Sequence, residues 1–173
     1  MQFGKLASAC LRTFCFLLLI MPQPQSQVLA KDGFKPFVYK TLNGERKALQ
    51  DFLNKATLVT FFFPTCSYCN GEMPYLQKVY DKYRDKGFSM VAIDIYSDQD
   101  STVADWQATH HYTFPVLIGA RLGSLQKNYD IKATPTHYLL DAQGAVILKQ
   151  TGYRTGDEKI LEQEIEKVLR RGP

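Results

Sequence analysis

A buried β-strand that runs straight into Cys-x-x-Cys, and from there into a helix, limits what this chain can become. Residues Leu58 to Phe63 are apolar except for Thr60. A sheet covered by helices on both faces produces such near-continuous runs. Pro64 stops the run, and Cys66-Ser67-Tyr68-Cys69 follows. Beyond it Cys69, Met73, Leu76, Tyr80 and Tyr83 recur at helical spacing. The motif therefore sits where a strand hands over to a helix. Free backbone N–H groups and the positive end of the helix dipole favour an anion there. For Cys66 that anion is the thiolate, the form that attacks disulfides. The spacing lets both sulfurs meet across one helical turn, so a disulfide can form and reopen within the motif.

Two blander uses of such a pair weigh against redox chemistry. A structural zinc site needs four ligands, yet there is no second C-x-x-C, and His110, His111 and His137 lie far along the chain. A static disulfide closing so short a loop stabilises little. A C-x-x-C beside a βαβ pattern reads instead as a redox pair.

The first thirty residues differ in kind from the rest. Lys5 and Arg12 are basic, and no acidic residue precedes Asp32. Phe14 to Met21 is a short apolar block, ended by Pro22. Val28-Leu29-Ala30 offers a cleavage site. This layout predicts a secretory signal over residues 1–30, cut after Ala30, and an exported or periplasmic domain over 31–173. An uncleaved membrane anchor is the alternative, although the block is short for a span of ~20 residues. Of the four cysteines, Cys10 and Cys15 would leave with the signal. Only Cys66 and Cys69 would remain, too few and too close for a disulfide-built scaffold.

At 173 residues, with 45% hydrophobic content, the chain suits one domain with a proper core. The net charge is +4, and without Lys5 and Arg12 it becomes +2. No basic cluster is interleaved with aromatics, which argues against nucleic acid as a partner. Lys78, Lys82, Arg84 and Lys86 read as a solvated helix face.

Along the domain, residues 34 to 46 predict a β-hairpin turning at Asn43-Gly44, and Lys47 to Leu53 a short helix. The redox helix carries Pro74, which removes a hydrogen bond, and ends at Gly87. Phe88 to Tyr96 is a second buried strand. Val103, Trp106 and His110 share one face of the next helix, with Trp106 read as core. Phe114 to Ile118 is a strand and Leu122 to Tyr129 a helix. Thr134-Pro135-Thr136 leads into a strand at His137 to Leu140. Asp141 to Gly144 turns the chain into Ala145 to Gln150. A capping box, Thr155-x-x-Glu158, opens the last helix. Alternating strands and helices of this kind predict an α/β sandwich with helices on both faces.

Taken in order, these features resemble the thioredoxin fold, and within it the exported thiol–disulfide oxidoreductases of the TlpA/ResA/CcmG type. The resemblance spans about Phe34 to Leu169. It rests on the Asn43-Gly44 hairpin, the strand into C-x-x-C, Glu72-Met73-Pro74, Phe114-Pro115-Val116, Thr134-Pro135-Thr136 and Asp141-x-x-Gly144. It implies a central mixed β-sheet flanked by helices on both faces, with an N-terminal β-hairpin extension. Cys66 would then attack and Cys69 resolve. Thr65, Ser67, Tyr68 and Pro74 would support them. Pro135 would be cis beside the disulfide, and the backbone of Thr134 would pair with a substrate strand. No cofactor and no bound metal are expected. The resemblance implies disulfide-bearing clients, among them apocytochrome c or copper-site proteins, and a membrane electron donor of the DsbD/CcdA kind.

The sequence also departs from the pattern. Phe62 and Thr65 stand where such proteins often carry tryptophan, and Thr60 where thioredoxin buries an aspartate. A threonine cannot take the resolving thiol's proton. Two rivals remain on related folds. A thiol peroxidase wants a threonine three residues before its reactive cysteine, where Phe63 precedes Cys66. A copper-binding or copper-delivering protein would use both thiolates, with His137 as a third ligand.

Overall fold

The computed structural model describes residues 33–96 and 100–171. The expected signal segment, its cleavage site, Cys10 and Cys15 lie outside these residues. No helix among the described residues is long and apolar enough to cross a membrane.

The strands are β1 (Val38–Thr41), β2 (Arg46–Ala48), β3 (Ala56–Phe62), β4 (Phe88–Asp94), β5 (Val116–Ile118), β6 (Thr136–Asp141) and β7 (Val146–Thr151). The helices are α1 (Ser67–Tyr83), α2 (Asp100–His110), α3 (Leu122–Tyr129) and α4 (Asp157–Arg170). The strands form one sheet in the order β2-β1-β5-β4-β3-β6-β7. β3 pairs parallel with β4, and β4 with β5, while every other pairing is antiparallel. The sheet is thus mixed, and β3 lies between β4 and β6.

Every residue of β3 is buried, because helices cover both of its faces. Alternate residues serve two apolar layers. Leu58 and Phe62 join Met73, Leu76, Val103, Trp106, Leu161 and Ile165 beneath α1, α2 and α4. Val59 and Phe61 join Phe34, Leu125, Tyr129 and Leu140 on the α3 side. The layered α/β architecture and the flanking helices agree with the sequence expectation.

α1 starts where the extended backbone of Cys66 ends, and its buried stripe runs through Cys69, Met73, Leu76, Val79 and Tyr83. Pro74 stands inside it. A single 3₁₀ turn then leads to Gly87 at φ 96°. A Cβ at Gly87 would also press within 2.8 Å of the Lys55 side chain. At Gly119, just past β5, a Cβ would lie 2.4 Å from the Asp94 carbonyl oxygen. Only glycine lets these two strand ends approach so closely.

Several local expectations need correction. The predicted helix at Lys47 to Leu53 is largely absent. Lys47 and Ala48 pair with Tyr39 and Val38 in the hairpin, and only Leu49–Asp51 forms a 3₁₀ turn. The Asp51 carboxylate accepts the Ala48 N–H at 2.7 Å and ends the strand there. Residues 114 and 115 stay outside β5, since Pro115 has no N–H for a ladder. Tyr96 leaves β4 because its N–H turns back to the Asp94 carboxylate at 3.1 Å. The capping box is displaced. The N-cap of α4 is Gly156 at φ 108°, with no side-chain cap from Thr155. Glu158 still accepts a backbone N–H, from Gly156 at 2.8 Å.

Candidate active site

Cys66 and Cys69 are joined as a disulfide, with their Cα atoms 5.2 Å apart. Cys66 caps α1 with its sulfur, which accepts the Cys69 N–H at 3.1 Å. That donor and the end of the helix dipole converge on one sulfur, an arrangement that stabilises a thiolate. Cys66 retains 5% exposure and Cys69 none. A client can therefore reach only the first sulfur.

The loop before β6 closes over Cys66. The Thr134 hydroxyl donates to Cys66 Sγ at 3.5 Å, and the Thr134 carbonyl oxygen lies 3.8 Å from it. The Thr134–Pro135 bond is cis, as the resemblance implies. Pro135 is buried, and its carbonyl accepts the Gly152 N–H at 2.7 Å. Beside the disulfide a cleft of about 650 Å³ opens between Tyr68, Ala133, Thr134, Gln150 and Tyr153. Tyr68 is 66% exposed at its rim. Thr65 and Ser67 are exposed on the motif loop. Pro74 is exposed on the outer side of α1, five residues past Cys69, and is not brought to the sulfurs.

The residue after Cys69 holds the loop in place. Asn70 donates to the Pro64 carbonyl at 2.8 Å and accepts the Trp106 indole N–H at 2.8 Å. Trp106 is in the core, as expected, with its ring 4.6 Å from Phe62. His110 closes α2 with Nδ1 2.8 Å from the Trp106 carbonyl oxygen and its ring stacked on Tyr112.

Beneath the sulfurs lies a polar group that sequence reasoning did not assemble. Glu72 is fully buried one helical turn beyond Cys69, on the same face of α1. Its Oε2 lies 2.8 Å from His137 Nε2, and His137 Nδ1 lies 3.0 Å from the Thr60 hydroxyl. Glu72 Oε1 has no hydrogen-bond partner among the described residues. A carboxylate buried beside the resolving cysteine is a candidate proton acceptor. Thr60 thus takes no proton itself but anchors the ring that holds the carboxylate. A glutamate inside the apolar stripe of Cys69, Met73 and Leu76 was the available signal. Both ring nitrogens of His137 are engaged by Thr60 and Glu72, which leaves neither directed to a metal held by the cysteines.

Tyr153 passes over α1, with its ring 3.5 Å from where a Cβ on Gly71 would sit. Its phenol is pushed up to about 12, first by burial and then by the nearby carboxylate of Glu158, with smaller contributions from Tyr75 and Glu72.

The chain matches the Redoxin family over residues 29–168. It is similar to the thiol-disulfide oxidoreductase ResA of Bacillus thuringiensis subsp. konkukian, 33% identical over 132 residues, which cover 76% of this chain and 74% of that protein. It is equally similar, at 33% over 132 residues, to the thioredoxin-like protein YneN of Bacillus subtilis, covering 75% of each chain. Among solved structures, the thioredoxin domain of a thiol-disulfide oxidoreductase from Bacteroides vulgatus superposes with a TM-score of 0.71 at 25% identity, over 80% of this chain and 96% of that one. With the disulfide at the head of α1 and the loop of Thr134 and Pro135 above it, the chain belongs to the redoxin family as a TlpA/ResA-like, thioredoxin-fold member.

Proposed function

We propose that this chain is an exported thiol–disulfide oxidoreductase that works mainly as a reductase of protein disulfides. The observation that carries the chemistry is the asymmetry of the pair. Cys66 is reachable and lies among donors, whereas Cys69 is sealed. In the reduced state the Cys66 thiolate attacks a client disulfide. One client sulfur leaves as a thiolate and takes a proton from water, and a mixed disulfide remains on Cys66. Cys69 then loses its proton and attacks Cys66 Sγ, releasing the second client thiol. Two electrons pass to the client, and the Cys66–Cys69 disulfide forms.

The cleft between Tyr68 and Tyr153 suits an extended client segment laid beside Thr134. The reducing direction rests on the absence of a cation between the cysteines, since strong oxidants stabilise their thiolate far more heavily. A reductase outside the cytoplasm needs electrons from the membrane, which fits a donor of the DsbD/CcdA kind. Apocytochrome c and copper-site proteins are the proposed clients. Export rests on the charge and hydropathy order of residues 1–30.

The test is insulin reduction by purified protein, with the couple equilibrated against glutathione. A reducing couple and full dependence on Cys66 are expected. A Cys66 thiol titrating below ~5, with ready oxidation of dithiols, would reverse the assigned direction. N-terminal sequencing of exported protein should begin near Lys31, and an intact Met1 in a soluble cytoplasmic fraction would overturn export.

A further inference from the structure

Thr60, His137 and Gln150 stand side by side on three neighbouring strands, β3, β6 and β7. Register puts their side chains on the face covered by α1, the face that Leu58 and Leu139 share. A polar row thus crosses an otherwise apolar layer. Its outer member, Gln150, lines the cleft beside the disulfide. Its middle member touches Glu72, which lies one turn from Cys69.

Burying a carboxylate and an imidazole together is costly unless each is satisfied. Here the satisfaction is lopsided. His137 uses both nitrogens, while Glu72 uses Oε2 and leaves Oε1 with no hydrogen-bond partner among the described residues. The Oε2–Nε2 contact requires a proton between the two atoms, because each can accept. When the pair carries one negative charge, Nε2–H donates to a carboxylate, and Nδ1 accepts the Thr60 hydroxyl proton. After one more proton arrives, the ring donates at both nitrogens, and Thr60 accepts at its oxygen. A hydroxyl both donates and accepts, so Thr60 serves either state without moving. An aspartate at position 60 would not.

We infer that His137 is a positioning residue for the redox reaction, holding Glu72 toward Cys69 and sharing the proton that Cys69 releases when it resolves the mixed disulfide. This rests on the oxidoreductase reading. The proton passes from Cys69 Sγ to the Glu72–His137 pair, while the Cys69 sulfur bonds to Cys66 and the client thiolate leaves. The pair gains one proton on oxidation of the dithiol and returns it to solvent before the next turnover. Among the described residues, the ionisable groups near the pair are Cys69, one turn back on the buried face of α1, and Tyr153 from the loop after β7, which feels both Glu72 and the Glu158 carboxylate at the start of α4. Tyr153 keeps its proton throughout the working range, so it does not compete for the one in transit.

The decisive measurement needs no client. In wild-type protein, the His137 ring signal is followed by NMR across pH in the oxidised and the dithiol states. Different titration curves are expected, because Cys69 has a thiol proton to give in only one of them. Superimposable curves would overturn the inference while leaving the oxidoreductase reading untouched. That reading fails separately, if Cys66→Ser still reduces insulin. The second arm uses His137→Gln, which can bond Glu72 and Thr60 but cannot take the proton. Resolution of a preformed mixed disulfide should slow about tenfold at pH 7 and lose part of its pH dependence, a modest effect for a group that acts through another acid–base residue. Glu72→Gln should slow it at least as much, and the double variant no further than Glu72→Gln alone. A purely structural His137 would leave the pH profile in place, or make the two losses multiply, and either result would sink the inference.

Discussion

The indole N–H of Trp106 donates to Asn70 Oδ1 at 2.8 Å, and so links α2 to the residue that follows Cys69. The other end of the same amide donates to the Pro64 carbonyl. One side chain therefore spans the motif loop. Trp106→Phe keeps an aromatic ring against Phe62 but leaves the half-buried Asn70 Oδ1 with one partner fewer. A loss of ~1–3 kcal/mol is expected for such an orphaned acceptor, read from urea unfolding. Insulin reduction should fall along with it, since the loop that carries Cys66 is loosened. Unchanged stability would show that the amide finds water instead.

The two cysteines should separate cleanly in function. Cys66→Ser is expected to abolish insulin reduction. Cys69→Ser should accumulate mixed disulfides on Cys66, because the sealed partner that resolves them is gone. Mass spectrometry of trapped adducts reads the outcome, and the trapped proteins identify the clients. Adducts on Cys69 in the Cys66→Ser variant would contradict the burial that sets the order of attack.

Thr134 bears on the first step alone. Its hydroxyl donates to Cys66 Sγ at 3.5 Å, and a donor favours the charged form of its acceptor. Thr134→Val keeps the shape and removes the donor. The Cys66 thiol should then titrate at higher pH, and alkylation by iodoacetamide at pH 6 should slow by about two- to fivefold, in keeping with one weak hydrogen bond. An unshifted alkylation profile would assign the thiolate's stabilisation to the α1 terminus alone.

Glu158 predicts an acid sensitivity. Burial pushes its carboxyl upward, but the backbone N–H groups of Glu158 and Gly156 and the Tyr153 hydroxyl outweigh it and hold the group below its ordinary value. A carboxyl lowered in the folded state stabilises the fold above its unfolded value, and that contribution disappears as pH falls through the folded one. The urea midpoint of the wild type should therefore drop as pH falls below about 4.5. Glu158→Gln should start lower at pH 7 and fall less steeply over the same range. Parallel curves would place the acid sensitivity elsewhere, with the Tyr83-bonded Glu166 the next group to change.

The parts legible from the chain were those written in neighbouring residues. The run from Leu58 to Phe63, the motif after it, and the stripe of Met73, Leu76 and Tyr83 state a strand, a turn and a helix without help from the rest. Thr134-Pro135-Thr136 was legible as a loop that feeds a strand. What was hidden depends on register across the sheet. In the sequence Glu72 stands only as part of the Glu72-Met73-Pro74 motif, and His137 only as a strand start and a candidate copper ligand. They become one unit only once β6 pairs with β3, Thr60 against His137. Lys47 and Ala48 misled for the opposite reason. Their local preference for a helix is overridden by pairing with β1.

Gly33 bridges to Ala145, and the Phe34 N–H donates to the Gly144 carbonyl at 2.9 Å. The ring of Phe34 packs 5.0 Å from both Tyr129 and Tyr138. All of these partners come late in the chain. A chain made from its N-terminus thus exposes Phe34 on the order of ten seconds before Gly144 emerges, at the usual pace of synthesis. The first-made piece of the described domain is therefore held only after β6 and the turn beyond it have been made.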